Sequence, residues 1–176
     1  MNLEDRLKAA IRAVPDFPKP GILFRDITPV LEDPKLCAAC VEGFAATLKD
    51  QRIDAIAGIE SRGFLFGMPL AIAMSVPFLT VRKKGKLPWT TVSYKYDLEY
   101  GSAEVEMHTG TVKPGMRVLV HDDLLATGGT AMAAAELIRM QQGEVAGFSF
   151  LIQLSFLNGV QRLERYRAPV IRLATY

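Results

Sequence analysis

The chain has 176 residues, 49% of them apolar by the AVILMFWYC count and 23% charged, which suits one compact domain and excludes disordered, collagen-like and coiled-coil architectures. A formal charge of +2 is too small for a dedicated nucleic-acid binder, but it leaves room for one local anion site. Cys37 and Cys40 are the only cysteines; a lone C-x-x-C supplies half the ligands of a structural zinc, so both are expected as reduced thiols on a helix.

Leu3, Leu7, Ile11 and Val14 recur at helical spacing behind Asn2, a candidate N-cap, so the chain should open with a short helix. The four prolines and one glycine between Pro15 and Pro29 exclude a regular helix there and suggest an ordered arm packed on the body. Asp33-Pro34 should cap the next helix, running to about Asp50. DAIAGIE then reads as a strand ending near Glu60, and VPFLTVR as a second buried strand beyond an apolar helix. The nineteen uncharged residues between Arg62 and Arg82 are nominally long enough to span a bilayer, but Pro69 and Pro77 divide them. With no basic leader followed by an apolar run either, a soluble, cytoplasmic protein without membrane contact is expected. Residues 83–103 are polar, basic and aromatic and read as a flexible excursion. AEVEM, MRVLVHD, EVAGFSFLIQLS and APVIRLA read as further strands, GGTAMAAAELIRMQQ as a helix ended by Gly143 at C′, and LNGVQRLERY as a short helix. This alternation implies one α/β domain, residues 1–176, with a parallel sheet of about five strands flanked by helices.

The most informative stretch is VLVHDDLLATGGTA, residues 118–131. A hydrophobic strand runs into two adjacent carboxylates, Asp122 and Asp123. The small-residue turn Ala126-Thr127-Gly128-Gly129-Thr130 then opens a helix. Ligands of parallel sheets bind beyond the carboxyl ends of the strands, where this turn would lie. Unpaired amides at a helix N-terminus attract an anion, the glycines admit it close to the backbone, and the threonines add hydroxyl donors. A phosphate is the natural occupant. Two carboxylates beside it make sense as acceptors for the vicinal hydroxyls of a ribose carrying that phosphate. Neither a Walker loop nor a G-x-G-x-x-G fingerprint occurs.

VLVHDDLLATGGT resembles the phosphoribosyl pyrophosphate motif of the type I phosphoribosyltransferases. PDFPKPGILFRDITPVL, IDAIAGIESRGFLFG, VRKKGKLP and YDLEYGSAEVE, in that order, resemble the adenine-specific branch of the family, and the likeness covers roughly residues 14 to 155. It implies the type I phosphoribosyltransferase fold, with a hood over about residues 1–30 and a mobile catalytic loop over about 83–103. It also implies a purine-salvage homodimer that makes AMP and pyrophosphate from adenine and phosphoribosyl pyrophosphate with Mg²⁺.

By that resemblance, residues 126–130 would hold the 5′-phosphate and Asp122 and Asp123 the ribose hydroxyls. Ser61, Arg62 and Gly63 would bind pyrophosphate, an arginine at a strand-to-helix turn being suited to a diphosphate on physical grounds as well. Arg82, Lys83 and Lys86, with Lys84 in the same basic run, would help cover pyrophosphate, partly across a dimer interface. Phe24 and Leu124 would sandwich the purine, and the backbone of Leu23 and Arg25 would read its edge. Glu99 would manage the imidazole proton of adenine with Tyr100 closing beside it, whereas Asp97, Glu104 and Glu106 read as surface acids. No residue is assigned as a direct metal ligand; Mg²⁺ is expected on substrate oxygens and water.

Three positions depart from the family pattern. His121 stands where an aliphatic residue is usual and reads as a packing substitution that would shift the acids if it were protonated. Glu60 replaces an aspartate, and Trp89 stands where small residues are common. A phosphoribosyltransferase for another base, or a sensor that has lost catalysis, are the alternatives. Ala126 argues against the 6-oxopurine branch, and about fifteen residues before the arm are too few for a DNA-binding module.

Overall fold

A computed structural model describes residues 1–97 and 101–176. The chain opens with helix α1 (Leu3–Ala10), whose cap Asn2 accepts a hydrogen bond from the Asp5 amide at 2.8 Å. Val14 does not continue it. Strands β1 (Arg12–Pro15) and β2 (Leu23–Asp26) form an antiparallel hairpin, followed by the one-turn helix α2 (Thr28–Leu31). This is the arm anticipated from the prolines. Asp33 caps α3 (Pro34–Leu48) by accepting from the amides of Lys35 and Leu36. Cys37 and Cys40 lie on this helix as free thiols, Cys40 fully buried, and burial pushes its pKa up to about 12.

From there β3 (Ala55–Ile59), α4 (Gly63–Ala73), β4 (Phe78–Lys83), β5 (Thr91–Asp97), β6 (Ser102–His108), β7 (Arg117–Leu125), α5 (Gly129–Met140), β8 (Glu144–Gln153), α6 (Gly159–Leu163) and β9 (Val170–Thr175) follow in order. Among the described residues, seven strands make one sheet in the order β5-β6-β4-β3-β7-β8-β9. The five from β4 to β9 are mutually parallel, as expected. The antiparallel hairpin β5–β6 extends them past β4. Among the described residues, no helix is long and apolar enough to cross a membrane.

The hairpin corrects the reading of 83–103 as an excursion. Val92, Tyr94 and Tyr96 alternate along β5 and pack against the core around α5, so this segment carries an ordinary half-buried strand pattern. A second correction concerns the end of α5. Gln142, at φ +65, takes the left-handed position, and Gly143 follows it, donating to the Ile138 carbonyl at 3.0 Å in a Schellman closure. Glycine is required there by close approach, because a Cβ would lie 2.4 Å from Val112 Cγ1.

The sheet divides two cores. One, containing Val118, Val120, Phe148 and the alanines of α5, fills the α5 side. The other, containing Leu7, Phe44, Phe66, Leu70 and Leu119, fills the side of α1, α3 and α4. Alternation along β7 therefore sends successive side chains into different layers.

Candidate active site at the carboxyl end of the sheet

The rim formed by β3, β4 and β7 gathers the motif residues. Asp122 and Asp123 end the buried run of β7, and α4 begins directly against them. A Cβ on Gly63 would lie 2.8 Å from the His121 carbonyl oxygen and 3.0 Å from Asp122 Oδ1. Only glycine lets the first turn of α4 approach the acid pair this closely.

The two carboxylates have different surroundings. Asp123 is nearly buried and receives Arg62 Nε at 2.8 Å. The Arg62 guanidinium also stands over the Phe24 ring at 5.5 Å, joining the acid to the arm. Among the described residues, Asp122 has no ion-pair partner; its Oδ1 accepts from the Asp123 amide at 2.9 Å. Burial raises the pKa of both acids. Mutual repulsion adds to the rise at Asp122, which lies well above the usual carboxylate range, whereas Arg62 offsets part of it at Asp123.

His121 adds no charge to this pair. It is fully buried, with Nδ1 2.8 Å from Ser149 Oγ and its ring edge-on to Phe44, and burial holds its pKa down to about 3. It therefore packs as a neutral side chain.

The turn after β7 meets the geometry expected of an anion loop. Gly128 caps α5 at φ +79, and the first amides of that helix have no intrahelical acceptor. A Cβ on Gly128 would lie 2.6 Å from the Gly159 carbonyl oxygen, and one on Gly159 would lie 2.2 Å from the Ala126 oxygen. The beginning of α6 thus backs the loop, a role the sequence reading does not assign to Gly159. Thr130 Oγ1 is 3.1 Å from Tyr96 Oη, tying the loop to the β5–β6 hairpin. The apolar alternation of β5 was the available signal for Tyr96.

Three cavities meet at Asp122. A small one of about 70 Å³ follows residues 124–131. A second, about 330 Å³, is lined by Glu60, Ser61, Arg62, Lys83 and Asp123. A third, about 480 Å³, runs beneath the hairpin and is lined by Arg82, Lys83, Lys84, Tyr96 and Thr130. Asp122 lines all three.

The basic run is less free than its sequence suggests. Glu60 Oε2 accepts from Arg82 Nε at 2.9 Å and from the Lys83 amide at 3.0 Å. The extra methylene of Glu60 accompanies a reach across to β4. Glu106, read as a surface acid, is 2% exposed and lies against the turn between β4 and β5. Trp89 is almost fully exposed, at φ +72.

The arm supplies a separate, mainly apolar cleft of about 600 Å³, lined by Phe17, Phe24, Ile27, Leu31, Arg62 and Leu65 among others. Phe24 meets Phe17 edge-to-face at 5.1 Å. Leu124 lines the phosphate-loop cavity instead, so the two expected faces of a purine sandwich do not share this cleft. Leu23 is half exposed, and the Arg25 side chain covers the Tyr176 ring at 4.0 Å. Glu99 and Tyr100 lie outside the described residues.

Comparison with known proteins agrees with this architecture. The model of the phosphoribosyl transferase domain family matches residues 29–174. An adenine phosphoribosyltransferase of Cytophaga hutchinsonii is 49% identical over 174 residues, covering 99% of this chain and 96% of the relative. The chain belongs to the adenine phosphoribosyltransferase family. Among solved members, the crystal structure of the Thermoanaerobacter pseudethanolicus enzyme superposes with a TM-score of 0.95 at 47% identity, covering 99% of this chain and 100% of the other. The Saccharomyces cerevisiae adenine phosphoribosyltransferase, crystallised with D-2,5-dideoxy-2,5-imino-altritol 1,6-bisphosphate and adenine, superposes with a TM-score of 0.90 at 39% identity, covering 97% and 98%. The family's fold thus extends over essentially the whole chain.

Proposed function

We propose that this chain transfers the 5-phosphoribosyl group of phosphoribosyl pyrophosphate to adenine, giving AMP and pyrophosphate. The observation that carries this reading is the convergence of three cavities on Asp122. Such a junction suits a ribose whose 5′-phosphate and diphosphate leave in different directions, and Arg62, which lines both the diphosphate cleft and the arm cleft, joins the place of the base to it. The 5′-phosphate takes the amides of 126–130, Asp122 and Asp123 accept from the ribose hydroxyls, and the diphosphate takes the cleft of Ser61, Arg62, Gly63 and Lys83, with Arg82 and Lys86 at its border. The base takes the arm cleft beside Phe24, its edge read by the backbone of Leu23 and Arg25.

Adenine N9 forms the new bond to C1 as the bond from C1 to the pyrophosphate oxygen breaks, through an oxocarbenium-like state. The loop amides and Asp122 orient the sugar, the basic run offsets the charge of the departing pyrophosphate, and closure excludes water. Glu99 takes up the imidazole proton at adenine N7, with Tyr100 beside it. Asp122 has no ion-pair partner among the described residues and opens onto the diphosphate cleft. Asp122 stays with the ribose hydroxyls, and a Mg²⁺ ion on the diphosphate would take its ligands from substrate oxygens and water, touching the acids at most through a bridging water. When bound, the ion supplies further charge neutralisation to the diphosphate.

The working unit is a cytoplasmic homodimer. Its support is the exposed stripe Leu65, Met68 and Ile72 along α4, a helix that is apolar on every side. The deciding experiment supplies phosphoribosyl pyrophosphate, Mg²⁺ and each base separately. Adenine should give AMP, and hypoxanthine should be used about 10⁴-fold less efficiently, because it inverts the donor and acceptor pattern of the base edge. Comparable use of both bases would reject the assignment.

A further inference from the structure

The turn between β4 and β5 is held from beneath by two carboxylates. Glu106, on β6, is 2% exposed. Its Oε1 accepts from the amides of Lys86 and Leu87, both at 2.9 Å, and its Oε2 accepts from Thr91 Oγ1 at 3.0 Å. Lys84 Nζ stands 3.6 Å from Oε2. Burial alone would raise the pKa of this carboxyl, but these donors outweigh it and leave the pKa lowered. A buried carboxylate this well supplied is kept charged by its surroundings.

Glu60 completes the arrangement from β3. It holds Arg82 Nε and the Lys83 amide, and the same Arg82 guanidinium donates through Nη1 to the Lys86 carbonyl at 3.0 Å. The Lys86 peptide is therefore fixed at both ends, its N–H by Glu106 and its C=O by Glu60 through Arg82. Between them the chain reverses at Gly85, φ +82, with Lys86 N–H also reaching the Lys83 carbonyl at 3.2 Å.

This sorts the four cations of the run. Arg82 and Lys84 face carboxylates. Lys83 and Lys86 are exposed, and among the described residues neither ammonium has a protein partner. Lys83 lines the cleft shared with Ser61, Arg62 and Asp122.

We infer that Glu106 is a positioning residue for the diphosphate of phosphoribosyl pyrophosphate: it presets the turn so that Lys83 and Lys86 present their ammoniums to that group. The inference rests on the proposed transferase reading and on the basic run serving pyrophosphate. Lys84 and Arg82 then act mainly as ties that neutralise the two carboxylates. A turn organised before the ligand arrives avoids the ordering cost of assembling the same cations on binding.

The test uses four single variants of the full chain, assayed in both directions, with melting temperature recorded. Glu106→Gln keeps the side-chain size but removes the charge and turns an acceptor into a donor. Gly85→Ala leaves every carboxylate in place and strains the turn through its φ of +82 alone, since beyond the chain neighbours nothing lies within 4 Å of the added methyl to clash with it. Both should raise KM for pyrophosphate and for phosphoribosyl pyrophosphate about ten-fold, the scale of one charge-assisted hydrogen bond, with KM for adenine changed less than about two-fold. Lys83→Gln and Lys86→Gln should show the same selective rise. Should the lysine variants alone show it, in folded proteins, the positioning role is overturned and the basic-run reading stands. Should the lysine variants leave KM for pyrophosphate at the wild-type value, the basic-run reading falls and takes the inference with it. A rise in the KM of adenine equal to that of pyrophosphate would mark Glu106 as structural only and overturn the proposal.

Discussion

Gly159→Ala tests the phosphate loop without replacing any residue proposed to contact ligand. Gly159 begins α6 with a φ outside the left-handed region, so alanine fits its backbone and the whole effect is steric. The new Cβ would lie 2.2 Å from the Ala126 oxygen and 3.1 Å from the Gly128 nitrogen. Ordinary van der Waals contact begins near 3.4 Å, so the loop and α6 must part by about 1 Å, a misplacement of the size that costs ~10²-fold where positioning matters. Overpacking of this kind destabilises by roughly 1–3 kcal/mol, which lowers Tm by about 2–4 °C per kcal/mol in a chain of this length. Calorimetric titration should therefore show AMP and phosphoribosyl pyrophosphate weakened by up to ~10²-fold, with adenine alone bound as before. If a folded variant with a lowered Tm keeps its AMP affinity, the loop backbone does not grip the phosphate and the assignment of 126–130 is wrong.

Three further outcomes can be checked. The raised pKa of Asp122 means that its charged form is the costly one in the fold, so stability is lost as pH rises through the raised folded value and regained as pH falls towards the ordinary carboxylate range. Asp122→Asn should raise the apo Tm at neutral pH, converge with wild type near pH ~4 and bind AMP about ten-fold more weakly; a lower Tm at pH ~7 would contradict the burial argument. Met68→Lys or Ile72→Lys should convert a species of about twice 19.4 kDa into single chains by sedimentation, whereas an unchanged dimer would move the interface off α4. Glu99→Gln should lower turnover by ~10²–10⁴-fold with much smaller changes in binding, and wild-type turnover with chemistry limiting would remove Glu99 from the mechanism.

Local chemistry was legible in the sequence; partnerships across the fold were not. The Asn2 and Asp33 caps, the parallel strands and the strand–acid–glycine–helix order of residues 118–131 each depend on neighbours a few positions apart, and the structure follows them. Arg62 reads as an anion ligand, yet it pairs with Asp123, far along the chain on another strand. Thr130 reads as a phosphate donor, yet it also meets Tyr96. A residue's hydrogen-bonding capacity is written in its type, but which of several distant partners receives it depends on the finished sheet. Glu106 shows the same limit. Alternation along β6 puts it opposite Val105 and Met107, on what reads as a solvated face, and only the turn folded over that face buries it. The β5 strand was obscured differently, because the lysines, Gly85 and Pro88 before it drew the whole segment into one loop.

The alternation of β7 has a consequence for how such a protein can diversify. His121 and Asp123 belong with the layer that carries Phe44, α4 and the arm, while Asp122 turns towards Tyr96, Thr130 and α5. Under the proposed assignment, grip on the 5′-phosphate is encoded in the layer of α5 and choice of base in the layer of α4 and the arm, with the acid pair straddling the strand between them. Substitutions far apart and without shared partners are nearly additive. A lineage can therefore remodel the cleft beside Phe24 while α5 and its loop stay as they are, and the strand between them works as a partition as much as a support.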